Sequence, residues 1–448
     1  MGPVSKVTRR TVLAGGVAAM AGLASTRANA APKRVVWWYE GATAAQQAAL
    51  DQYLVKPFNA SQSEYELVIE FRGSALPDQL LVALAAGSGP DIILTNGPSW
   101  TQRFVLAKRL LPLTEFAQKF EWNKRIVPFM LDMGTYDGTI FAIPKTSETQ
   151  VLFYNRTLFA KNGWAPPTTR AEFEVLADKM LSAKIQPLGA GNAGTRFVNR
   201  HYVGASFSCC AGPDNVYKAL SGKLPWNEPP FVDSIQLLKE WWDKGYFGGQ
   251  KYFALSMQQA FALMAAGKSG MAIQGSWAFQ WVDETFKKTG QDLDWVPIPR
   301  LSPAAPYPVF PLGIGADLAI NAATQVPEGA AKVLNALLDH KFIIAMSEAW
   351  GGEWDSPLVS PPEPGSGLDR ITSLAVKLNF ETTKALQTNT YGYAPWTFWP
   401  ARTDDYMKGG MEEVWLGQIT AKQFCDKVNE IFQQDLKDGL VKTLPARA

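Results

Sequence analysis

The chain has 448 residues and a formal net charge of +2, and 47% of its residues are hydrophobic while 19% are charged. This composition supports a sizeable core and excludes general disorder, and the near-neutral charge balance carries no signature of nucleic-acid binding. Only 2 His and 3 Cys are present, which leaves little for metal or thiol chemistry, whereas 16 Trp, 13 Tyr and 24 Phe supply abundant aromatic surface. The length predicts two large lobes or about three domains.

Residues 1–30 have the pattern of an export signal. Arg9 and Arg10 form a twin-arginine pair, an apolar run covers residues 12–24, and Ala28-Asn29-Ala30 is a small-residue cleavage site. The apolar run has 13 residues, fewer than the roughly 20 that a membrane-spanning helix needs. We therefore predict export by the twin-arginine pathway and cleavage after Ala30.

The mature chain is predicted to be a near-neutral periplasmic protein. Four of the 43 basic residues and none of the 41 acidic residues lie in residues 1–30, so the remaining chain has a formal charge of −2. No cysteine stands near the cleavage site, so no lipid anchor is predicted, and no other stretch has transmembrane length. A free exported protein stays near a membrane partner only in an enclosed compartment, which favours the periplasm.

Strands and helices alternate from the start of the mature chain. The apolar segments 34–39 and 91–94 predict buried strands, and the alternating segment 66–72 predicts another. Helical periodicity at residues 44–58 and 76–86 separates these strands. The resulting β-α-β-α-β order predicts an α/β fold with an open sheet.

A second lobe is predicted to begin near residue 147. A strand at residues 151–154 is followed by a capping box, Thr169 to Glu172, which predicts the start of a helix. A second capping box, Thr420 to Gln423, predicts the start of a helix near the end of the chain.

The cysteines predict no metal or redox site. Cys209 and Cys210 are adjacent and Cys425 is distant, and the chain has no C-x-x-C and no Cys/His cluster. Because a vicinal disulfide requires a distorted peptide, we expect buried free thiols rather than a bridge. No cofactor is predicted.

Several short sequence motifs occur along the chain in a characteristic order. They are ALAAGSGPDII at 83–93, YDGTIFAIP at 136–144, VLFYN at 151–155, FALMAAG at 261–267, GMAIQGSW at 270–277, LGIGADLAI at 312–320 and WLGQIT at 415–420. Together, from about residue 35 to 436, they resemble the family 1 extracellular solute-binding proteins, the maltose-binding-like components of bacterial sugar importers. Residues 190–255 show little of this resemblance.

The resemblance implies a two-lobe periplasmic-binding-protein fold of class II with an interlobe ligand cleft. Its lobes are discontinuous: the N-terminal lobe would comprise residues 31–147 and 298–365, and the C-terminal lobe residues 148–297 and 366–448. It also implies a monomer without enzymatic activity that carries a small-molecule sugar to the permease subunits of an ABC transporter in the inner membrane. Ligands of open α/β sheets lie outside the carboxyl ends of the strands, and closure around a ligand proceeds by hinge motion.

Tryptophans are the first candidates for ligand contact. Trp277 follows the strand 271–274, and the family places a sugar-stacking aromatic at this position. The segment 391–399 holds five aromatic residues in a Gly- and Pro-containing loop. Large apolar rings are unfavourable on a loop unless another group covers them. Flat rings bind the apolar faces of pyranoses, so Trp399 and then Trp396 are predicted to stack on sugar. Packing roles are expected for Tyr391, Phe398 and Trp281.

Further candidates lie at strand ends, at the lobe boundary and in loops. They are Trp38 and Glu40 after the first strand, Asn96 after the third, Glu148 at the entry to the second lobe, Trp354 as a lid residue, and Gly313 and Gly315, which allow close backbone approach to a ligand. For Glu40, Asn96 and Glu148, a solvated surface position remains an open alternative. Asp317 faces either the cleft or solvent.

Two other functions are weighed against sugar binding. A glycoside hydrolase also has a Trp-lined cleft, but it needs two carboxyl groups about 5–9 Å apart, and no phrase of the sequence pairs them. Neither His201 nor His340 lies in a nucleophile motif. The other alternative is a non-sugar ligand on the same fold: a polyamine, a polyol or a metal ion. A polyamine or a metal ion would need clustered acids or a tyrosine cluster, and the sequence places neither near Trp277 or Trp399. We therefore predict a binder rather than an enzyme.

Overall fold

The computed structural model describes residues 31–194, 196–361 and 368–447. The export signal and the predicted lobe boundary at residues 365 and 366 lie outside the described residues. Within them, no helix is both long enough and apolar enough to traverse a bilayer.

The first part of the chain alternates strands with helices, as the sequence predicts. Its strands are β1 Lys33–Tyr39, β2 Tyr65–Phe71, β3 Ile92–Thr95, β4 Thr135–Tyr136, β5 Thr139–Ile140 and β6 Ala142–Asn155. Its helices are α1 Ala44–Leu50, α2 Lys56–Ser61, α3 Leu76–Ala85, α4 Pro98–Leu106, α5 Thr114–Lys119, α6 Trp122–Arg125 and α7 Pro128–Met133. A wider helical turn, Asp51–Val55, joins α1 to α2.

The middle of the chain is mainly helical around short strands. Its helices are α8 Arg156–Asn162, α9 Arg170–Ser182, α10 Phe197–Ser206, α11 Pro213–Leu220, α12 Pro229–Asp243, α13 Lys251–Ala254, α14 Met257–Ala265 and α15 Phe286–Thr289. Its strands are β7 Gln186–Leu188, β8 Ser269–Gly275 and β9 Leu293–Val296.

The last part begins with a long strand and ends with helices. The strands are β10 Phe310–Ile320 and β11 Tyr391–Tyr393. The helices are α16 Pro327–Ala336, α17 His340–Ala349, α18 Arg370–Gln387, α19 Ala401–Trp415 and α20 Ala421–Lys437. The two predicted capping boxes are confirmed: the Thr169 and Thr420 side chains each accept from the third helical amide of α9 and α20, and Glu172 and Gln423 bond back to the cap amides.

Two long strands hold the two halves of the molecule together. The sheet order is β2-β1-β3-β10-β6-β8-β7, with β11 pairing with β10 and β9 pairing with β6. β1, β2 and β3 are parallel, whereas β10 runs antiparallel to both β3 and β6. β6 therefore pairs with β10 in its first half and with β8 and β9 in its second half, so it passes from one lobe to the other. The two-lobe α/β fold predicted from the sequence is confirmed.

The C-terminal segment adds a further crossing. After α20 it returns to the first lobe, where the Lys442 ammonium donates to the Thr135 carbonyl and lies 3.7 Å from the centre of the Tyr136 ring. Arg447 then pairs with Asp214 at 2.9 Å. The end of the chain therefore contacts both the first part of the chain and α11.

The three cysteines are free and buried, as expected. Burial raises the pKa of the Cys209 thiol. Burial, and then the charge of nearby Asp426, raise the pKa of the Cys425 thiol to about 12. These thiols behave as small apolar side chains rather than as reactive groups.

Candidate functional site

A cleft of about 510 Å³ lies where the carboxyl ends of β1 and β3 meet the crossing strands β6 and β10. Glu40 directly follows β1 and Asn96 directly follows β3, as expected for a site at the strand ends of an open sheet. The first lobe adds Asp78 and Leu81 from α3 and Ser99, Trp100 and Arg103 from α4. The second lobe adds Phe197, Arg200 and His201 from α10, Trp277, Trp396, and Asp404, Asp405 and Lys408 from α19.

A buried ion pair stands at the floor of the cleft. Lys145 is only 6% exposed, and its ammonium pairs with the Glu353 carboxylate, which also accepts a hydrogen bond from the Tyr39 hydroxyl at 2.8 Å. The same ammonium lies 4.6 Å from the centre of the Trp354 ring and 5.3 Å from that of Tyr39. Lys145 is therefore locked by charge, hydrogen bonding and cation–π contact together.

Carboxyl groups outnumber cations around this pair. Burial, and then the neighbouring Glu353 charge, raise the pKa of Glu40 to about 7 and that of Glu148 to about 8. Burial likewise raises the pKa of Asp355 to about 7, which the Ser276 hydroxyl partly opposes. Near neutral pH these groups carry a share of protons, so the cleft floor offers both hydroxyl donors and carboxylate acceptors.

This excess of carboxyl groups predicts that stability falls with rising pH. Because the folded-state pKa of Glu148 is raised to about 8, the folded protein holds a proton that the unfolded chain releases above its ordinary pKa of 4.5. The free energy of unfolding therefore decreases as pH rises from about 5 to 8. Glu148→Gln is expected to flatten this decrease, measured by chemical denaturation at several pH values, whereas Glu430→Gln on the exposed Lys427–Glu430 pair should not. Parallel profiles for the parent and Glu148→Gln would contradict the assignment.

Aromatic rings form one wall of the cleft. The His201 ring centre lies 5.0 Å from that of Trp277 and 4.9 Å from that of Trp396. The Trp277 ring passes so close to Gly275 that a Cβ there would stand 2.0 Å from a ring carbon, which only glycine permits. Trp277 stays partly exposed and lines the cleft, so part of its ring is accessible to a ligand.

A charged cluster forms the neighbouring part of the same wall. Arg200 pairs with Asp404 at 2.5 Å, and Lys408 pairs with both Asp404 and Asp405 at 2.9 Å. The Arg200 guanidinium also lies 4.1 Å from the centre of the Phe197 ring. The cluster fixes α10 against α19 and leaves its two cations neutralised by acids.

Seven of the residues predicted from the sequence line the cleft. They are Glu40, Asn96, Glu148, Trp277, Gly315, Trp396 and Trp399. Gly315 has a packing reason as well, because a Cβ there would stand 2.0 Å from the Glu148 carboxyl oxygen.

Three predicted residues do not reach the cleft. Trp38 points to the same side of the sheet as Glu40, two residues earlier in the chain. The Arg72 guanidinium covers the Trp38 ring at a distance of 4.0 Å. Trp354 is not an exposed lid residue: it is 3% exposed and packs against Tyr39. A Cβ on Gly313 would stand 2.6 Å from the Thr397 methyl, so this glycine accommodates a side chain of the protein rather than a ligand.

Two further expectations are corrected by burial. Trp399 borders the cleft but is 0% exposed, because Trp226 and Phe207 enclose its ring at 5.7 and 6.4 Å, and it offers no free stacking face. Asp317 faces neither cleft nor solvent; it is fully buried and accepts from the Thr101 hydroxyl at 2.9 Å. Trp281, expected to pack, contacts Phe261 at 5.5 Å.

Sequence reasoning did not include Lys145, Glu353, Arg200 and His201 among the site residues, although all four line the cleft. Lys145 and Glu353 are 208 positions apart, and no local pattern pairs them. Arg200 and His201 lie within residues 190–255, where the family resemblance gave no guide. The one feature that could have indicated a site there is a histidine beside an arginine, and both lie on the helix α10.

Comparison with known proteins adds the following relationships. The chain matches the bacterial extracellular solute-binding protein family over residues 40–342. It is 24% identical over 334 residues to the sn-glycerol-3-phosphate-binding periplasmic protein UgpB of Brucella melitensis, which covers 72% of this chain and 74% of that protein. A chitin oligosaccharide binding protein superposes with a TM-score of 0.77 at 18% identity, over 90% of this chain and 100% of the other. Maltose-bound MalE3 of T. maritima superposes with a TM-score of 0.68 at 18% identity, over 90% of this chain and 99% of the other. At these identities the solved structures establish a shared fold.

Proposed function

The chain belongs to the bacterial extracellular solute-binding protein family, and from this premise we propose that it captures a sugar or oligosaccharide in the interlobe cleft. It then delivers the ligand to the permease subunits of an ABC-type importer. The relatives include a protein named for chitin oligosaccharides and one described with bound maltose, and both share the fold.

The observation that carries this proposal is the make-up of the cleft. A partly exposed Trp277 ring lines the cleft together with protonatable carboxyl groups and Asn96. Of the four cations among the described lining residues, three are paired with acids. A ring face binds apolar C–H surface, while carboxyl and amide groups exchange hydrogen bonds with hydroxyls. This combination suits a neutral polyhydroxylated ligand better than a strongly charged one.

A cationic ligand is the second candidate, because the structure brings together acids that the sequence did not. Glu40 and Glu148 line the cleft without an ion pair among the described residues, so an amine would find partners there. A phosphate-bearing ligand has less support, since Arg103 is the one cleft cation without a carboxylate partner in the described part of the chain, and it stacks on Trp100 at 4.5 Å.

A direct binding screen tests the proposal. The mature protein is titrated calorimetrically with maltose, N,N′-diacetylchitobiose, sn-glycerol 3-phosphate and spermidine, with thermal unfolding followed in parallel. A ligand at 100 times its Kd is expected to add about 2.7 kcal/mol to the free energy of unfolding. Stabilisation by spermidine alone would favour the second candidate, and stabilisation by neither sugar nor amine would contradict both. Release of shorter sugars on incubation would contradict a purely non-enzymatic role.

Ligand binding is expected to close the two lobes. The proposed lobes are residues 31–147 with 298–365 and residues 148–297 with 366–448, and we place the hinges between them near residues 147, 298 and 366. Because a ligand that contacts both lobes selects the closed state, a sugar that binds should reduce the radius of gyration in solution X-ray scattering. A saturated complex with an unchanged scattering curve would contradict a hinge mechanism, and the same data give the mass that tests the proposed monomer.

Export by the twin-arginine pathway is proposed for the precursor, with cleavage after Ala30. Replacing Arg9 and Arg10 together with lysine is expected to leave the precursor in the cytoplasm, because that pathway reads the arginine pair. Cell fractionation and mass spectrometry of the purified protein measure both points, with Lys6→Arg as a control that keeps the charge. Normal periplasmic accumulation of the double-lysine form would contradict the pathway, and a mature protein that does not begin at Ala31 would contradict the cleavage site.

A further inference from the structure

His201 occupies a position in the cleft wall that packing alone does not account for. It lies in α10, within the stretch of sequence that shows little family resemblance, and it lines the cleft while being only 6% exposed. The imidazole makes no hydrogen bond with any described residue, and its Nδ1 is shielded from solvent without a partner. A buried polar group that lacks a partner carries its full desolvation cost, so a histidine at this position calls for an explanation other than packing.

The position of the imidazole is fixed by its neighbours. Trp277 and Trp396 both pack against it, with ring centres 5.0 and 4.9 Å away. Gly204, three residues further along α10, lets the Trp396 ring approach so closely that a Cβ there would stand 2.6 Å from a ring carbon. The His201 ring therefore has little rotational freedom. Its Nε2 makes no hydrogen bond with a described residue and, unlike Nδ1, is not fully shielded from solvent, and the ring lines the cleft beside Trp277.

Burial, and then the adjacent Arg200 charge, hold the pKa of His201 well below its ordinary value. The imidazole is therefore neutral in the physiological range, with one nitrogen that donates and one that accepts. A sugar hydroxyl both donates and accepts, so either tautomer can bond with it, whereas a charged imidazolium could only donate.

We propose that His201 is a specificity-determining residue of this protein, whose imidazole hydrogen-bonds with one hydroxyl group of the sugar that stacks on Trp277. This assignment rests on the proposed sugar-binding function. It gives α10, which lies in the stretch of sequence with little family resemblance, a part in distinguishing one sugar from another.

The test uses the mature protein, maltose and N,N′-diacetylchitobiose, with two variants of His201. His201→Phe keeps the ring and removes both nitrogens, and it is expected to fold and to bind the sugar at least tenfold more weakly. His201→Gln keeps a donor and an acceptor and is expected to recover part of that loss. Monodeoxy derivatives of the sugar that binds the parent locate the hydroxyl: one of them should bind the parent more weakly, yet bind His201→Phe no more weakly than the intact sugar does.

Nitrogen NMR of protein labelled at histidine gives an independent readout, because the chain has only two histidines and His340 is exposed. Saturation with the sugar is expected to shift a His201 ring-nitrogen resonance and to leave those of His340 in place, with His340→Gln providing the assignment. Equal sugar affinities for the parent and His201→Phe, with unshifted His201 resonances, would overturn the role of His201 while leaving the sugar-binding function intact. Absence of sugar binding to the parent would overturn both.

Discussion

Replacing Lys145 with methionine is expected to lower the free energy of unfolding by about 3–5 kcal/mol, the range for removing one partner of a buried ion pair. The Lys145 side chain is 1% exposed and that of Glu353 is 13% exposed, so little water is available to solvate the carboxylate left behind. Glu353 would also remain beside Glu40 and Glu148, whose pKa values it already raises. Methionine fills a similar volume, which keeps the loss of packing small.

The matched control is an ion pair at the surface. Lys427 and Glu430 lie 2.8 Å apart with side chains 47% and 68% exposed, so Lys427→Met should change the free energy of unfolding by less than about 1 kcal/mol. Urea denaturation of both variants measures the difference. If the loss comes from the unpaired carboxylate, Lys145→Met combined with Glu353→Gln should be more stable than Lys145→Met alone. A loss as small as that of Lys427→Met would contradict the buried pair.

The general architecture could be predicted from the sequence because its signals are local. Apolar runs such as residues 34–39 do form strands, although alternate residues of β1 stay partly exposed, and the capping boxes at Thr169 and Thr420 do begin helices. The strand predicted at residues 151–154 is part of a much longer one, β6, which begins at Ala142. Its polar residues 145–150 hide this in the sequence, since they are buried through long-range contacts that no local pattern records.

The candidate site could be predicted only in part, for the same reason. Glu40 and Asn96 follow strands directly, and the carboxyl ends of strands in an open sheet indicate where ligands bind. Trp38 satisfies the alternation of β1 equally well, yet Arg72 covers it, because only the tertiary structure decides which of two outward side chains meets solvent or ligand. Arg200 and His201 were not predicted because their partners, Asp404 in α19 and Trp396, lie about 200 positions further along the chain.

Trp399 and Trp277 are expected to respond to truncation in opposite ways. Trp399 is 0% exposed and enclosed by Trp226 and Phe207, so Trp399→Ala opens a cavity and should lower the free energy of unfolding by about 3–5 kcal/mol. Trp277 keeps a ring face at the cleft, so Trp277→Ala should lose about 2 kcal/mol of sugar affinity, which corresponds to a roughly 30-fold increase in Kd.

The comparison requires both quantities for both variants. Calorimetric titration with the sugar that binds the parent gives affinity per folded molecule, and urea denaturation gives stability. Trp399→Ala is expected to show the larger loss of stability because the Trp399 ring is fully buried in the folded protein. Trp277→Ala is expected to show the larger loss of affinity because the Trp277 ring is partly exposed in the cleft. Loss of affinity without loss of stability in Trp399→Ala would mean that the enclosed ring turns outward to meet the sugar, and the stacking role predicted from the sequence would then belong to Trp399 after all.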